Sequence, residues 1–210
     1  MNNFEIDKKQ FTFKYNDKNS KILIITGPRS VGKTTLAKQF YESIGIDFLD
    51  LDDLVNEKLS EFFKSGSKTP LEQAMEAKNY DLIESIVRDI VQSFDNINQA
   101  TAIAFAGGAY TGYQGLSGDL KSKFITIGLI PYENDDELSV KLLIERESNR
   151  EHFKKLIDEG KLDMETLSNR VRNDYIKVNT YLRANTIDEL IFIQQKTPIE
   201  IMNQVLDLLK

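Results

Sequence analysis

The chain has 210 residues, 40% of them hydrophobic and 29% charged, with a formal net charge of −6, one histidine and no cysteine. That length sustains one sizeable core and points to a single domain over 1–210. No apolar run approaches the roughly 18 to 20 residues of a membrane span, the negative balance argues against wholesale binding to a nucleic acid backbone, and the amino terminus lacks the basic start and apolar stretch of a secretory signal. A cytoplasmic protein without membrane or nucleic acid partners is expected, as a monomer or weak dimer.

In chain order, Gln10–Tyr15 alternates with Phe11, Phe13 and Tyr15 on one face, and Asn16-Asp17-Lys18-Asn19 supplies turn chemistry, so residues 1–20 read as an N-terminal hairpin extension. Lys21–Thr26 carries the run Ile22-Leu23-Ile24-Ile25, too continuously apolar for a half-exposed strand, and predicts a central parallel strand covered on both faces. A glycine loop, 27–32, follows. Leu36, Ala37, Phe40 and Ile44 then have helical spacing over Lys33–Ile44, with Gly45 as the stop. Ile46–Leu51 reads as a second strand, Asp53–Lys64 as a helix and 65–70 as a linker. Asn79–Phe94 is a strong amphipathic helix. Thr101–Ala106 is a short buried strand ending at a Gly107-Gly108 turn, and Phe124–Ile130 is another strand. Residues 136–183 are helical and charged, with a break near Asp158-Glu159-Gly160. Glu189–Gln194 returns as a strand, and Thr197-Pro198 opens a last helix with Ile199, Met202, Val205 and Leu208 or Leu209 inward. This alternation predicts an α/β fold in three layers around a mostly parallel central sheet.

Gly27-Pro28-Arg29-Ser30-Val31-Gly32-Lys33-Thr34 fits G-x-x-x-x-G-K-[ST] and lies between a buried strand and a helix, where a P-loop must lie. Glycines let the backbone close around phosphate oxygens, and the helix start adds its positive end. Lys33 is expected to neutralise the β and γ phosphates and the Thr34 hydroxyl to ligate Mg²⁺. Gly27, Ser30, Val31, Gly32, Lys33, Thr34 and Thr35 are the expected ATP-binding set, with no special role for the Arg29 and Ser30 side chains. Many P-loop ATPases carry an acidic Mg²⁺ partner at the end of a later strand. Here Thr101–Ala106 runs into Gly107 and Phe124–Ile130 into Pro131, and carboxylates gather instead in Asp50-Leu51-Asp52-Asp53. Extended spacing would put Asp50 and Asp52 on one side of a strand end; the alternative is that one of them caps a helix starting near Asp53.

The P-loop, Phe48-Leu49-Asp50-Leu51-Asp52 after the first helix, and Ala106-Gly107-Gly108-Ala109-Tyr110 after the third core strand resemble a shikimate kinase in order and spacing over about residues 21–210. The resemblance implies an ATP- and Mg²⁺-dependent kinase acting on a small-molecule hydroxyl acceptor, shikimate in that family. It gives Asp50 a water-mediated hold on Mg²⁺ and sets Asp52 beside the transferred hydroxyl. Gly107 and Gly108 would bind the acceptor through backbone groups, Ala109 standing where the family has a third glycine. A helical lid at about 145–168 would bring Arg146 and Arg150 to nucleotide and transferred phosphate, Arg150 acting with Lys33 and Asp52 in catalysis. Arg172, with Arg170 close behind, would hold the acceptor carboxylate.

Two features depart from the family. Asn79-Tyr80-Asp81-Leu82-Ile83-Glu84 has Asp81 where a carboxylate-clamping arginine is expected, and the lid lacks the Arg-Pro-Leu-Leu signature. A kinase with another small-molecule or nucleotide acceptor is therefore an alternative. A nucleotide-binding regulatory module, or one of the larger ATPases whose loops also read Gly-Pro-Arg-x-x-Gly-Lys-Thr-Thr, is a second. His152 reads as solvated, and Tyr110 and Tyr113 as acceptor-pocket or packing residues.

Overall fold

Five strands form one parallel sheet in the computed structural model, which describes residues 7–64, 66, 68–184 and 186–209. The first six residues of the expected hairpin extension, and Ser65 and Ser67 of the expected linker, lie outside the described residues. The strand after the hairpin, β3 (Ile22–Thr26), is buried along its whole length and lies at the centre, since it must be covered by helices on both faces. Its neighbours are β5 (Thr101–Ala104) and β6 (Ile125–Ile130), both fully buried, with Ile24 opposite Ile103 on one side and Thr126 on the other. The edges are β4 (Asp47–Asp50), beside β5, and β7 (Glu189–Phe192), beside β6.

The hairpin β1 (Phe13–Tyr15) and β2 (Lys18–Ser20) is antiparallel and separate from this sheet. Phe13 is fully buried, edge-on to Phe40 at 6.3 Å. Lys18 pairs with Asp188 at 2.7 Å and donates to the Phe124 carbonyl at 3.3 Å, Tyr15 donates to Glu189 at 2.6 Å, and Lys8 pairs with Asp47 at 2.6 Å. These partners all start strands. The amino-terminal segment therefore closes the sheet at the end opposite the strand carboxyl termini, where ligands of such sheets bind.

Helix α1 (Lys33–Ile44) has the expected bounds, stopped by left-handed Gly45 (φ 74°). Three other boundaries moved for identifiable reasons. Helix α2 (Leu51–Leu59) starts two residues earlier than expected, because the Asp50 side chain accepts the Asp52 N–H at 3.0 Å and nucleates the turn. Helix α3 (Pro70–Glu76) starts on the last residue of the expected linker and runs on where no element was expected, opened by a capping box between Thr69 and Glu72 with proline in the first turn. Gly107-Gly108 begins a short helix, α5 (Gly107–Gly112), instead of making a plain turn.

Helix α4 (Tyr80–Ser93) presents Ile83, Ile86, Val87, Ile90 and Val91 to the core. Helix α6 (Leu116–Lys123) was not anticipated. The long charged stretch forms α7 (Asp136–Ser148), α8 (Glu151–Asp158) and α9 (Met164–Arg183). Helix α10 (Pro198–Leu208) has the Thr197–Glu200 capping box, but its buried face is Ile201, Met202, Val205 and Leu209, leaving Ile199 and Leu208 exposed. Tyr110 is fully buried and donates to the Thr186 carbonyl at 2.7 Å, which makes it a packing residue. Among the described residues no helix is long and apolar enough to cross a membrane.

Candidate nucleotide and acceptor site

The loop after β3 emerges between the ends of β5 and β6. Gly27 (φ 148°), Ser30 (φ 59°) and Gly32 (φ 107°) all have positive φ, the backbone needed to curl the loop inward. Gly27 has no room for a side chain, since a Cβ there would lie 2.5 Å from the Leu129 carbonyl oxygen of β6. The start of α1 carries no side-chain cap and no acidic residue in its first turn. The N–H groups there and the positive helix end are thus left available to an anion. The Lys33 ammonium folds onto the carbonyls of Gly27 and Pro28, at 3.0 Å each. Burial pushes its pKa below the ordinary lysine value, opposed by the carboxylates of Asp52, Asp174 and Asp50. A phosphate would offer this ammonium a charged partner in place of two neutral ones.

The Thr34 hydroxyl donates to Asp50 Oδ2 at 2.6 Å, while Oδ1 of the same carboxylate caps α2. Asp50 thus does both things weighed for it: it caps the helix and lies against the loop threonine. Asp52 does not continue the strand beside it. It lies in the first turn of α2, where solvent reaches it but protein atoms and like charges ring it. Partial burial first, then the Asp50 carboxylate, raises its pKa above the ordinary aspartate value, with Lys33 and Arg29 pulling the other way. The oxygen set of Thr34, Asp50 and Asp52 fits Mg²⁺, a hard cation held by one or two carboxylates together with phosphates and water. Among the described residues no group of three or more His, Cys, Asp or Glu is placed to hold a metal ion. No acidic residue ends β5 or β6, whose last residues are Ala104 and Ile130.

Helices α7 to α9 bring further charges to the loop. Arg146 donates to the Val31 carbonyl at 3.2 Å. Arg150 is exposed at the start of α8 and reaches Glu147 at 3.3 Å. Glu147 is 1% exposed and accepts from the Ser30 hydroxyl. Asp174 accepts the backbone N–H of Arg29 at 2.9 Å.

Arg172 is not brought to this site. Its guanidinium forks onto Glu137 at 2.6 and 2.8 Å on the surface between α7 and α9. Two residues along a helix is about 200° of rotation, so Arg170, four before Asp174, takes the loop-facing side instead. Arg170 feels Arg29, Glu147 and Asp174, and burial with the Arg29 charge lowers its pKa from the ordinary arginine value.

Gly107 and Gly108 separate in the same way. A Cβ on Gly107 would lie 2.3 Å from the Gly27 carbonyl oxygen, whereas one on Gly108 meets nothing within 4 Å. Gly107 is what lets α5 abut the phosphate loop, and Gly108 is the exposed one of the pair. Gly107→Ala must displace the loop and is expected to cost about 1–3 kcal/mol. It should lower Tm by several degrees and weaken nucleotide binding, both readable in one thermal-shift series with and without MgATP. Gly108→Ala should not lower Tm.

Toward α4, Asp81 is exposed in the first turn. Arg88 forks onto Glu84 at 3.0 and 2.6 Å and donates to the Gln114 carbonyl at 2.9 Å, tying α4 to the α5–α6 connection beside Tyr113. His152 is exposed beside Phe153.

Sequence reading missed Glu147, Asp174 and Arg29, although a signal existed for the carboxylates. Glu147 continues the buried stripe Val140, Leu143 of α7, and Asp174 falls between Val171 and Val178 on that of α9. A carboxylate at core spacing has to meet a polar partner.

A shikimate kinase from Bacteroides thetaiotaomicron superposes with a TM-score of 0.68 at 16% identity, over 89% of this chain and 95% of that one. The fold is that of the P-loop kinases. A shikimate kinase from Acinetobacter baumannii, solved in complex with shikimate, gives 0.60 at 22% identity over 89% and 91%, and a dephospho-CoA kinase from Campylobacter jejuni 0.52 at 16% over 89% and 94%. A family model described as an AAA domain matches residues 19–108. Comparison with curated proteins returns no match.

Proposed function

We propose that the chain transfers the γ-phosphoryl group of MgATP to a hydroxyl of a small metabolite, with shikimate the first acceptor to test. The observation that carries this reading is the Thr34–Asp50 hydrogen bond at 2.6 Å, with Asp52 two residues on, in the first turn of α2, and electrostatically coupled to Lys33. It puts Asp50 at the end of β4 and Asp52 in the first turn of α2, beside the loop, whereas β5 and β6 end without an acidic residue. Thr34 and Asp50 would hold Mg²⁺ at the loop, where it would supply positive charge against the phosphates. Lys33 would hold the β and γ phosphates, Asp50 would orient Thr34 and the metal's water, and Asp52 would accept the acceptor's hydroxyl proton. Arg146, on the Val31 carbonyl, and Arg150, beside Glu147, are the lid arginines for phosphate, and Arg170 is the candidate for the acceptor carboxylate in place of Arg172. The Arg88–Glu84 pair supplies α4 with an arginine seven residues after Asp81, already neutralised by its own partner.

The AAA-domain match over the loop-bearing half favours a second reading, an ATPase or nucleotide-dependent regulatory module. Phosphorus NMR of the chain with MgATP and a panel of hydroxyl acceptors separates the two. A phosphate monoester that forms only with an acceptor present supports the kinase. Inorganic phosphate released at the same rate with every acceptor and with none supports the ATPase. Binding itself is checked by melting: MgATP at about one hundred times its Kd should stabilise the fold by about 2.7 kcal/mol.

A further inference from the structure

Arg29 and Ser30 fill positions that the loop pattern leaves open, yet three helices converge on them. From α7, Glu147 accepts from the Ser30 hydroxyl and meets Arg29 Nε at 2.6 Å. From the α8 start, Arg150 reaches the same carboxylate at 3.3 Å, and Phe153 of α8 has the Arg29 guanidinium over its ring at 5.6 Å. From α9, Asp174 accepts the Arg29 N–H. Arg29 Nε and Glu147 Oε1 are both buried, with no hydrogen-bond partner beyond their mutual ion contact.

Packing alone does not explain Glu147. Its place after Val140 and Leu143 on the buried stripe would suit a leucine, and a buried carboxylate costs several kcal/mol unless it is paired. Its hydrogen-bond and ion-pair partners belong to the loop or to the corner leading into α8, and Arg170 of α9 also attracts it electrostatically. Ser30 adds a second cost, since a non-glycine residue at φ 59° is disfavoured and needs its surroundings to hold it. The Glu147 bond to its hydroxyl does so.

We propose that Glu147 and Arg29 are a coupling pair that ties the position of α8 to the state of the phosphate loop and keeps Arg150 poised beside it. The inference rests on the loop binding a nucleotide, not on which acceptor receives the phosphoryl group. The three basic or hydroxyl partners of Glu147 are unequal. Arg29 is held at 2.6 Å against the buried carboxylate, whereas Arg150 is 55% exposed and sits at 3.3 Å. Arriving phosphates compete for Arg150 and leave Arg29 as the counter-ion. Arg150 then moves from carboxylate to phosphate and carries the start of α8 with it, while Phe153 remains stacked on Arg29. Both members of the pair are positioning residues, acting on phosphate through Arg150 and the loop.

Hydrogen exchange on the full chain tests this, with the wild type, Glu147→Gln and Arg29→Lys each measured free and with the magnesium complex of a non-hydrolysable ATP analogue, and Kd taken by calorimetry. In the wild type, nucleotide should slow exchange of the 151–158 amides. In Glu147→Gln those amides should exchange about tenfold faster in the free protein, with the β3 and β6 amides unchanged. Nucleotide should bind the variant at least as tightly, because a negative charge beside the phosphates is gone, yet no longer protect 151–158. Arg29→Lys keeps the charge but loses the Nε contact and the stacking, and should show the same pattern more weakly.

Nucleotide binding without protection of 151–158 in the wild type, or unchanged 151–158 exchange in Glu147→Gln, would overturn the coupling and leave the kinase reading standing. If Glu147→Gln raises exchange across β3 and β6 as well, the residue is a structural support, and Arg29→Lys decides: unchanged 151–158 exchange there overturns the pair. A wild-type chain that bound no nucleotide would sink both this inference and the proposed function.

Discussion

Lys33→Ala is expected to lower phosphoryl transfer by at least about 100-fold, the loss that follows when one preorganised group aimed at developing charge is removed. The fold should not suffer. Burial lowers the Lys33 pKa, so the folded state disfavours its charge. That penalty is fully present below the lowered pKa and is relieved as pH rises through it toward the ordinary lysine value. Removing the ammonium at pH 7 should therefore leave Tm unchanged or raised, while the stabilisation by MgATP falls away. Lost turnover together with a large drop in Tm would mean that Lys33 supports the loop and not the phosphates.

Asp52→Asn should reduce kcat by about 10²- to 10⁴-fold, the usual contribution of a positioned general base, and spare MgATP binding. Its raised pKa gives the effect a pH signature. The basic form is lost as pH falls through the raised value, so the acid limb of kcat/KM in the wild type should lie above the ordinary aspartate range. The sign for stability is opposite to that of an ion-paired aspartate: the penalty for holding this carboxylate charged is present above the raised pKa and disappears below it. The asparagine variant should then melt no lower than the wild type at pH 7. A variant that keeps wild-type kcat would remove Asp52 from the chemistry and return it to the role of a first-turn acid on α2.

The parts of this design that lay open to sequence reading are those set by short-range rules. The run Ile22–Ile25, the glycine loop and the helix closed by Gly45 each follow from local periodicity and backbone freedom, and all three stand as expected. Asp50 was legible as a candidate because carboxylates so close to a P-loop need a reason. That it would cap α2 and touch Thr34 at once was not, because extended spacing was assumed where the cap itself starts the helix. Helix α3 carries the same Thr-Pro-x-Glu signal as α10, but its Thr69 and Pro70 close a serine- and glycine-bearing stretch and read as the end of a linker.

The clasp of Glu147 and Asp174 on the loop spans 117 and 145 residues of chain. Local pattern does not encode which helices meet. The one available clue was a carboxylate at core spacing. Arg172 and Arg170 show the complementary failure, since a motif match across two residues cannot choose a helix face, and the Glu137 pairing does.

The measurement that bears most directly on the account is phosphorus NMR of MgATP incubated with the wild-type chain and shikimate, beside the same mixture without acceptor and a panel of other small polyols. The account predicts a new phosphate monoester resonance that appears only when an acceptor is present and is absent with Asp52→Asn. Steady growth of inorganic phosphate alone, equal in every tube, would contradict it.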